Sequence, residues 1–559
     1  MSKSGKEQAV NIYDNSKIVP QNVRLYTMVF LIFSFCCGGC FGIEDIICVS
    51  GPGLGLLLIL LLPIFWAAPQ ALTAAELGSA LPYTGGFYKW IQRGMGEFWG
   101  FCAGWCRTLA QYFEMGGYVV LGVSYLSLAV EMTEAQAYMV KAAVIIIITI
   151  INLRGIKDVG AVTTGIAILV LVAFAAITVL GFMNWNQSPF EPFYNTDEGF
   201  LWSLSGSLAI AMWVYSGFTS VSTVAGDCKD KSVVWKGLLI GIPMIAAVYF
   251  LPTIATLGSV GQWADWGPDG INYMTVAAQF AGPAFGIGFA IIAFLANVST
   301  YNTAMTTLSR GFYAIAEDCL APKVLTKVSK KKGIPVFATL TISVFTLISV
   351  QYSFTALITI TVTLVIVDYV LIWIAGIRLR IKEPDLPRPF KVPGNTAVFV
   401  CMVTPGILIA AFSLLINGAD YFLGGMLGLI LVPILYVIIK RVCGGLHRLD
   451  PVRHPINPKT KLCYGDLFRI AQIFLVFVVL GLIAYFFMPI YEGSWGPEYY
   501  AETYGVANAY EIITQGILWV TVAYAVIAVV LIILDRKLDP KDQRPEVESF
   551  VLQKQSSEE

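Results

Sequence analysis

The sequence predicts an all-α, polytopic membrane protein with about fourteen transmembrane helices. Its 559 residues are 57% hydrophobic and only 13% charged, whereas about 25% of the residues of an ordinary soluble domain are charged. Fourteen apolar runs are long enough to cross a bilayer, since a span needs roughly 20 residues that pair all their backbone polar groups. This composition excludes a soluble globular protein.

The apolar runs define the predicted domain organisation. They lie at 25–48, 54–80, 97–128, 137–153, 159–183, 200–224, 234–258, 280–314, 335–351, 355–377, 395–417, 422–440, 467–489 and 511–534. The predicted units are an N-terminal cytoplasmic segment at 1–24, helices 1–5 at 25–183, helices 6–10 at 200–377, helices 11–12 at 395–440, a cytoplasmic loop at 441–466, extra helices 13–14 at 467–534 and a cytoplasmic tail at 535–559. No removable signal peptide is expected, because residues 1–24 are polar.

The distribution of lysine and arginine predicts the orientation. Seven alternate connections contain neither residue: 49–53, 129–136, 184–199, 259–279, 352–354, 418–421 and 490–510. The opposite connections carry basic clusters such as Lys323–Lys332 and Lys440–Lys461. Since cytoplasmic loops are enriched in basic residues, we expect a multi-pass protein of the cytoplasmic (plasma or inner) membrane with both termini in the cytoplasm.

Two blocks of five spans satisfy the condition for an inverted repeat, because an odd number of crossings inserts the second block upside down. The first span of each block is interrupted at a matching place, by Gly38, Gly39 and Gly42 in span one and by Ser216 and Gly217 in span six. Unwound backbone exposes amides and carbonyls to substrate. The alternative interpretation is that these glycines only allow close helix packing.

Five segments resemble the amino acid-polyamine-organocation (APC) superfamily, closest to its polyamine-uptake and L-type amino acid transporter-like branch. In order, they are Gly38–Asp45, Ala75–Ser79 with Pro82–Trp90, Trp213–Asp227, Ser309–Ala314 with Asp318 and Pro322, and Arg378–Arg380 with Arg388–Phe390. The resemblance covers about residues 20–440. It implies a LeuT-like, five-plus-five inverted-repeat core with discontinuous helices 1 and 6, alternating access, and substrate at the two breaks.

Four features depart from the family pattern. Thr219 stands where the polyamine branch has an aspartate, and Ile166 stands where many proton-coupled or exchanging relatives have a lysine. Cys40 replaces a proline of the polyamine-uptake segment, and spans 13 and 14 exceed the usual twelve. For those two spans the sequence suggests only packing or oligomer contacts.

Charged residues at bilayer depth indicate the chemistry, because each costs about 2.5–3.5 kcal/mol on insertion scales. Four acidic residues lie within the predicted spans, namely Glu44, Asp45, Glu114 and Asp368, whereas Arg107 is the basic residue well inside a span. Spare carboxylates suit a cation. Alternatives remain for each acid: Glu44 and Asp45 could simply cap a half-helix, Glu114 could pair with Arg107, and Asp368 could bind substrate, carry a coupling proton or bond a distant hydroxyl.

Aromatic side chains near the breaks complete the predicted amine site, since a desolvated cation gains about 0.5–2 kcal/mol over an aromatic face. Core packing is the alternative for each of them, and Trp213 is the strongest candidate because it aligns with a gating aromatic of related exchangers. The predicted substrate-binding residues are Gly38, Gly39, Cys40, Phe41, Gly42, Glu44, Glu114, Trp213, Tyr215, Gly217, Phe218, Thr219, Tyr301, Asn302 and Asp368. The predicted gate residues are Trp213, Phe218, Glu76 and Arg310.

The leading hypothesis is a secondary transporter for a cationic small molecule, a polyamine or a basic amino acid, by proton-coupled symport or exchange. The alternatives are a neutral amino acid permease or antiporter and a non-transporting nutrient sensor. No nucleophile–base pair, metal set or ATP-binding loop is present in the sequence, so we expect neither an enzyme nor a resident cofactor. A coupling proton or sodium ion stays open. The 36 basic and 36 acidic residues give no reason to expect nucleic acid; the partners expected are the small-molecule substrate and the lipid bilayer.

Overall fold

The computed structural model is an all-helical bundle. It describes residues 22–540 apart from 38–40, 84, 155, 198, 268–269, 330–332 and 452–453. Up to residue 183 its helices are α1 (Leu25–Cys36), α2 (Glu44–Ser50), α3 (Pro52–Leu62), α4 (Ala68–Ala80), α5 (Phe87–Met95), α6 (Glu97–Ala129), α7 (Glu134–Asn152) and α8 (Ile156–Met183). A π-helical segment, Pro63–Ala67, joins α3 and α4 into one helix.

The second half continues the bundle and adds a C-terminal pair. Its helices are α9 (Phe200–Val214), α10 (Ser232–Leu257), α11 (Tyr273–Ala281), α12 (Pro283–Glu317), α13 (Val336–Ser349), α14 (Phe354–Lys382), α15 (Thr396–Ile416), α16 (Ala419–Leu429), α17 (Leu431–Cys443), α18 (Asp466–Tyr491), α19 (Gly496–Tyr504) and α20 (Ala509–Leu538). Five short 3-10 or π segments, of which Ser220–Asp227 matters most below, connect helices in the described chain.

Membrane-spanning helices make up most of the bundle, so the chain is a multi-pass membrane protein. Within the described residues, ten helices are long and apolar enough to cross a bilayer, and three shorter apolar helices are Leu25–Cys36, Phe200–Val214 and Val336–Ser349. The 33-residue α6 is also long enough, but it carries Arg107 and Glu114 in its interior. The total of fourteen spans stays a prediction.

Several predicted boundaries differ from the structure. The run predicted at 280–314 begins at Pro283, because Gly282 adopts φ +89° and separates α11 from α12. The start of α11 therefore lies in the stretch 259–279, which the sequence predicts as a connection. The run at 422–440 is two helices, α16 and α17, that meet at Ile430.

Both predicted helix interruptions are present. Helix α1 ends at Cys36 and α2 begins at Glu44; Gly38, Gly39 and Cys40 of this break lie outside the described residues. Helix α9 ends at Val214 and is followed by Gly217, whose φ of +103° disfavours any residue with a side chain. A β-carbon there would lie 2.9 Å from the Phe35 ring. Glycine is thus required at the second break.

Helix α6 forms the centre of the packing. It packs against α12 and α14, while α1 packs against α8, α10 and α12. The C-terminal helices α18 and α20 pack mainly on each other, and α20 also contacts α16. Basic connections cluster at one end of the bundle, formed by segments 81–96, 378–395 and 440–466 and called the basic end below.

At the opposite end of the bundle, Glu492 connects the C-terminal pair of helices to the rest of the protein. Its buried carboxylate accepts hydrogen bonds from the Ala419 backbone N–H and the Tyr500 hydroxyl, both at 3.1 Å. Burial raises the pKa of Glu492 to about 7. The helices α16, α18 and α19 are therefore held together at this end by one carboxyl group.

Candidate functional site

One face of α6 carries the polar side chains of the bundle centre. Arg107, Gln111, Glu114, Tyr118 and Tyr125 follow one another at intervals of four, three, four and seven residues. This spacing places them along the same side of a helix. All five side chains are buried, so α6 presents a polar strip to the two helix breaks and to α14.

Arg107 connects the span-six break to α14. Its Nε atom donates a 2.8 Å hydrogen bond to Ser220 Oγ, directly after the break, and its Nη1 atom donates a 3.2 Å bond to the Tyr369 hydroxyl. The same hydroxyl accepts the backbone N–H of Gly217 at 2.8 Å. The Arg107 guanidinium therefore fixes the unwound segment. When this segment rearranges, either these hydrogen bonds break or their partners move together with the segment.

Asp368 lies beside Arg107 without a complete set of partners. One carboxylate oxygen is 3.9 Å from Arg107 Nη1, and the side chain is fully buried. Neither oxygen accepts a hydrogen bond in the part of the chain that the structure describes. The sequence offered no basic residue near Asp368 along α14; the partner comes from α6, 261 positions away.

Glu114 is bonded to a tyrosine of its own helix. Its Oε1 atom accepts a 2.7 Å hydrogen bond from the Tyr118 hydroxyl. Among the described residues no ion pair within 4 Å joins Glu114 to Arg107; the nearest acid of Arg107 is Asp368. The alternative that Glu114 only forms a salt bridge with Arg107 is wrong for this conformation, and its carboxylate instead lines a cavity beside Trp213.

Trp213 stands between two small cavities. Trp213 and Ser216 line both of them. The first has a volume of about 10 Å³ and includes Arg107 and Glu114 in its wall. The second, about 20 Å³, reaches Tyr118. A single water molecule needs about 10–15 Å³, so this conformation is closed, and a larger molecule requires movement of Trp213 or of the breaks.

Aromatic rings surround the cavities. Trp213 packs edge-on against Phe354 with ring centroids 5.3 Å apart and lies 5.9 Å from the ring of Tyr118. A β-carbon on Gly42, which has φ +87°, would contact Trp213 at 3.5 Å, so the two breaks meet at this indole. Phe41 lines the larger cavity. Trp213 therefore lies beside both Phe41 and the α6 carboxylate, Glu114, and their role in substrate binding stays a prediction.

The Glu44 carboxylate accepts hydrogen bonds from neighbouring groups of the protein. Its Oε2 atom accepts the backbone N–H of Gly42 at 2.9 Å, and its Oε1 atom accepts the Tyr125 hydroxyl at 2.5 Å and the Tyr273 N–H at 3.4 Å. It lines neither cavity. These bonds engage the carboxylate in this conformation, but none of them comes from the first turn of α2, whose N-terminus has no side-chain cap.

Several predicted binding residues are buried but do not line the two cavities: Tyr215, Phe218, Thr219, Tyr301 and Asn302. The Tyr215 hydroxyl donates to the Ile59 carbonyl at 2.7 Å, and Asn302 accepts from Asn152 at 2.8 Å. They support the helices around the site. Phe218 is fully buried as well, and its predicted gate role stays a prediction.

The other two predicted gate residues lie towards the basic end. Glu76 forms ion pairs with Arg380 at 2.5 Å and with Arg388 at 3.3 Å. Arg310 donates to the Thr306 carbonyl at 2.9 Å within α12. Glu76 therefore fixes the segment after α14, which agrees with the loop-fixing alternative to gating.

Four residues outside the predicted set also contribute to the cavities or to the bonds around them. Cys36 and Cys37 line the larger cavity at the end of α1, and Trp66 lines the smaller one. Ser220 accepts the Arg107 bond. In the sequence, each of these residues looks like an ordinary apolar or small packing residue. Their position at the cavities becomes visible only when the helices are assembled.

The charge balance of the centre suits a cation. Glu114 and Arg107 line the smaller cavity beside the Trp66 and Trp213 rings. Asp368, a predicted binding residue, lines neither cavity and is buried 3.9 Å from Arg107, so two buried carboxylates accompany one guanidinium. Buried charges without full compensation are costly, and a positively charged ligand would remove the imbalance. Among the described residues, no group of three or more His, Cys, Asp and Glu side chains could hold a metal ion.

Comparisons with known proteins agree with this architecture. Over 72% of this chain and all of the other, the fold is similar to the crystal structure of MhsT in complex with L-phenylalanine, with a TM-score of 0.52. At 13% identity, this likeness concerns the fold alone.

Curated relatives are named as transporters. A probable polyamine transporter of Arabidopsis thaliana is 29% identical over 70% of this chain and 79% of its own length. The polyamine transporter PUT1 of Oryza sativa subsp. japonica is 28% identical over 79% of this chain and 85% of its own. The family model described as amino acid permease matches residues 26–439. The chain belongs to the amino acid permease family, a family of membrane transporters and not of enzymes.

Proposed function

We propose that this protein is a secondary transporter for polyamines or closely related organic cations. The observation that carries the proposal is that the buried Glu114 lines a cavity beside Trp213 and forms no ion pair among the described residues, while Arg107 in the same cavity wall lies 3.9 Å from Asp368. The named polyamine transporters among the relatives support the same substrate class. The substrate's ammonium group is bound by Glu114 and by the face of Trp213.

The protein works by alternating access around the two breaks. Arg107 holds the span-six break through Ser220 and lines the same cavity as Glu114, so a cation that binds beside Glu114 repels Arg107 and loosens its contact with Ser220. The N- and C-termini lie in the cytoplasm of a plasma or inner membrane, and the basic end faces the cytoplasm.

Asp368 carries the coupling proton in this proposal. Its carboxylate is buried with no hydrogen bond to either oxygen in the described chain, and protonation removes the cost of burying that charge. An Asp368→Asn variant should therefore exchange labelled substrate across a liposome membrane but lose accumulation driven by a pH gradient. Wild-type protein with one proton per substrate should accumulate about tenfold per pH unit. Unchanged gradient-driven accumulation in the variant would assign coupling elsewhere.

Uptake by liposomes that contain only this protein tests the function. Putrescine and spermidine are expected to give saturable uptake and to compete with each other, whereas leucine and alanine do not compete. Ligands at about 100 times Kd stabilise the folded state by roughly 2.7 kcal/mol, so a thermal unfolding panel gives an independent readout. Protein without flux but with ligand binding would indicate a sensor.

A neutral amino acid carrier is the second candidate. The bonded state of Glu44 and the presence of Thr219 in place of an acid favour it. In that case stabilisation would require a ligand with an α-carboxylate, because the free amides of the span-one break would bind that group. Diamines, which lack a carboxylate, separate the two candidates in the same panel.

A further inference from the structure

A cavity of about 440 Å³ lies at the basic end, between the family core and the C-terminal helices. Helices α5, α6 and α14 contribute to its walls, and α18 closes it. Helix α18 follows the region matched by the family model, which ends at residue 439. The extra helices therefore complete a space that the core alone does not enclose.

The walls of this cavity are strongly basic. The basic residues that line it are Lys89, Arg93, Arg378, Lys382 and Arg469. Glu97 is the acid in the lining, and it is already paired with Lys440 at 2.5 Å. Three of the cations have partners as well: Lys89 with Asp318 at 2.5 Å, Arg93 with Glu383 at 2.7 Å and Arg469 with Asp466 at 2.7 Å.

Arg378 and Lys382 have no such partner. Neither forms a hydrogen bond or an ion pair within 4 Å among the residues that the structure describes. They stand four residues apart on α14, so they lie on the same helix face, where like charges repel. Lys382 is also close enough to Arg469 for repulsion. An anion between these side chains would relieve both repulsions.

An apolar row leads away from the same cavity. Phe468 lines the cavity and is 42% exposed, and Leu475 and Leu482 follow at intervals of seven residues with 41% and 43% exposure. This spacing places the three side chains on one face of α18. The helix crosses the membrane, so the row faces the hydrocarbon of the bilayer. A free anion would gain no favourable contact with this apolar row.

We propose that this cavity binds an anionic phospholipid. Its phosphate lies between Arg378, Lys382 and Arg469, and an acyl chain follows Phe468, Leu475 and Leu482. The bound lipid joins α14 of the core to α18, which gives the extra helices a function beyond packing. This site is independent of the proposed transport substrate.

Native mass spectrometry and thermal unfolding of the full chain test the proposal. Phosphatidic acid should bind as one retained lipid and raise the unfolding midpoint, while phosphatidylcholine should do neither. The double variant Arg378→Gln, Lys382→Gln should bind phosphatidic acid about 30-fold more weakly, because each basic residue near anionic lipid contributes about 1 kcal/mol. Its unfolding midpoint in phosphatidylcholine should be no lower than that of the wild type, because the change removes a repulsion between like charges.

A matched control changes the same charge at exposed positions. Lys229→Gln, Lys231→Gln removes two exposed lysines that do not line the cavity and should retain wild-type affinity. Equal loss in both double variants would mean that only the overall charge matters, and it would overturn the site. If the double variant does not fold, the single variant Lys382→Gln, at an exposed position, serves with an expected loss of about fivefold.

Inorganic phosphate and the Phe468→Ser variant separate a lipid from a free anion. Phosphate should give little stabilisation, and Phe468→Ser should weaken long-chain phosphatidic acid while leaving any effect of phosphate unchanged. Full stabilisation by millimolar phosphate, or unchanged lipid affinity in Phe468→Ser, would overturn the lipid and leave a simple anion site.

Discussion

Replacing Glu114 with glutamine is expected to reduce cation uptake about 100-fold or more while the protein still folds. Glutamine retains an oxygen that accepts the 2.7 Å hydrogen bond from Tyr118, so the local geometry survives. The variant loses the negative charge next to Trp213 in a buried site. Losing one partner of a desolvated charge pair costs about 2–5 kcal/mol, and about 1.4 kcal/mol corresponds to tenfold.

The control for this experiment is Glu131→Gln, the same chemical change at an exposed position between α6 and α7. Initial uptake rates of labelled putrescine, measured with equal amounts of folded protein, compare the two variants. Glu114→Asp restores the charge at a shorter reach and should recover part of the activity. Wild-type uptake by Glu114→Gln would remove Glu114 from the site and leave Asp368 as the candidate carboxylate.

The sequence predicts the helical segments and both breaks because these depend on local physics. A run of apolar residues must form a helix in lipid, and the Gly217 position needs a backbone with positive φ. Trp213, Phe41 and Glu114, which line the cavities, are also candidates from the sequence because two signals agree at each: the residue type and its place near a break or within a span. The boundaries at Gly282 and Ile430 were missed because apolar composition continues through them.

The partners of the buried charges could not be predicted, because they come from distant parts of the chain. Arg107 reaches Ser220 and Asp368 rather than Glu114, although Glu114 is much closer in sequence. The spacing of seven residues places both on one helix face, but it does not fix which way the long arginine side chain extends. The same limit applies to Glu76, whose arginine partners follow about 300 residues later.

Replacing Glu76 with alanine is expected to cause the largest loss of stability among single substitutions at the basic end. The carboxylate accepts Arg380 Nε at 2.8 Å and the Val392 backbone N–H at 2.8 Å, and it pairs with Arg388 at 3.3 Å. The side chain of Glu76 is buried. Its removal leaves two guanidinium groups without their carboxylate, and breaking a buried ion pair in this way costs about 3–5 kcal/mol.

The loss should appear as a lower yield of monodisperse protein and a lower unfolding midpoint, whereas Glu502→Ala, at an exposed position, should behave as the wild type. Arg380→Lys gives a second measure, because lysine keeps the charge but cannot form the two-point contact that Arg380 makes with both oxygens of Glu76. It should lose less stability than Glu76→Ala. Glu76→Ala could instead retain wild-type stability and change only the rate of uptake. In that case Glu76 acts as the predicted gate, and it does not fix the segment after α14.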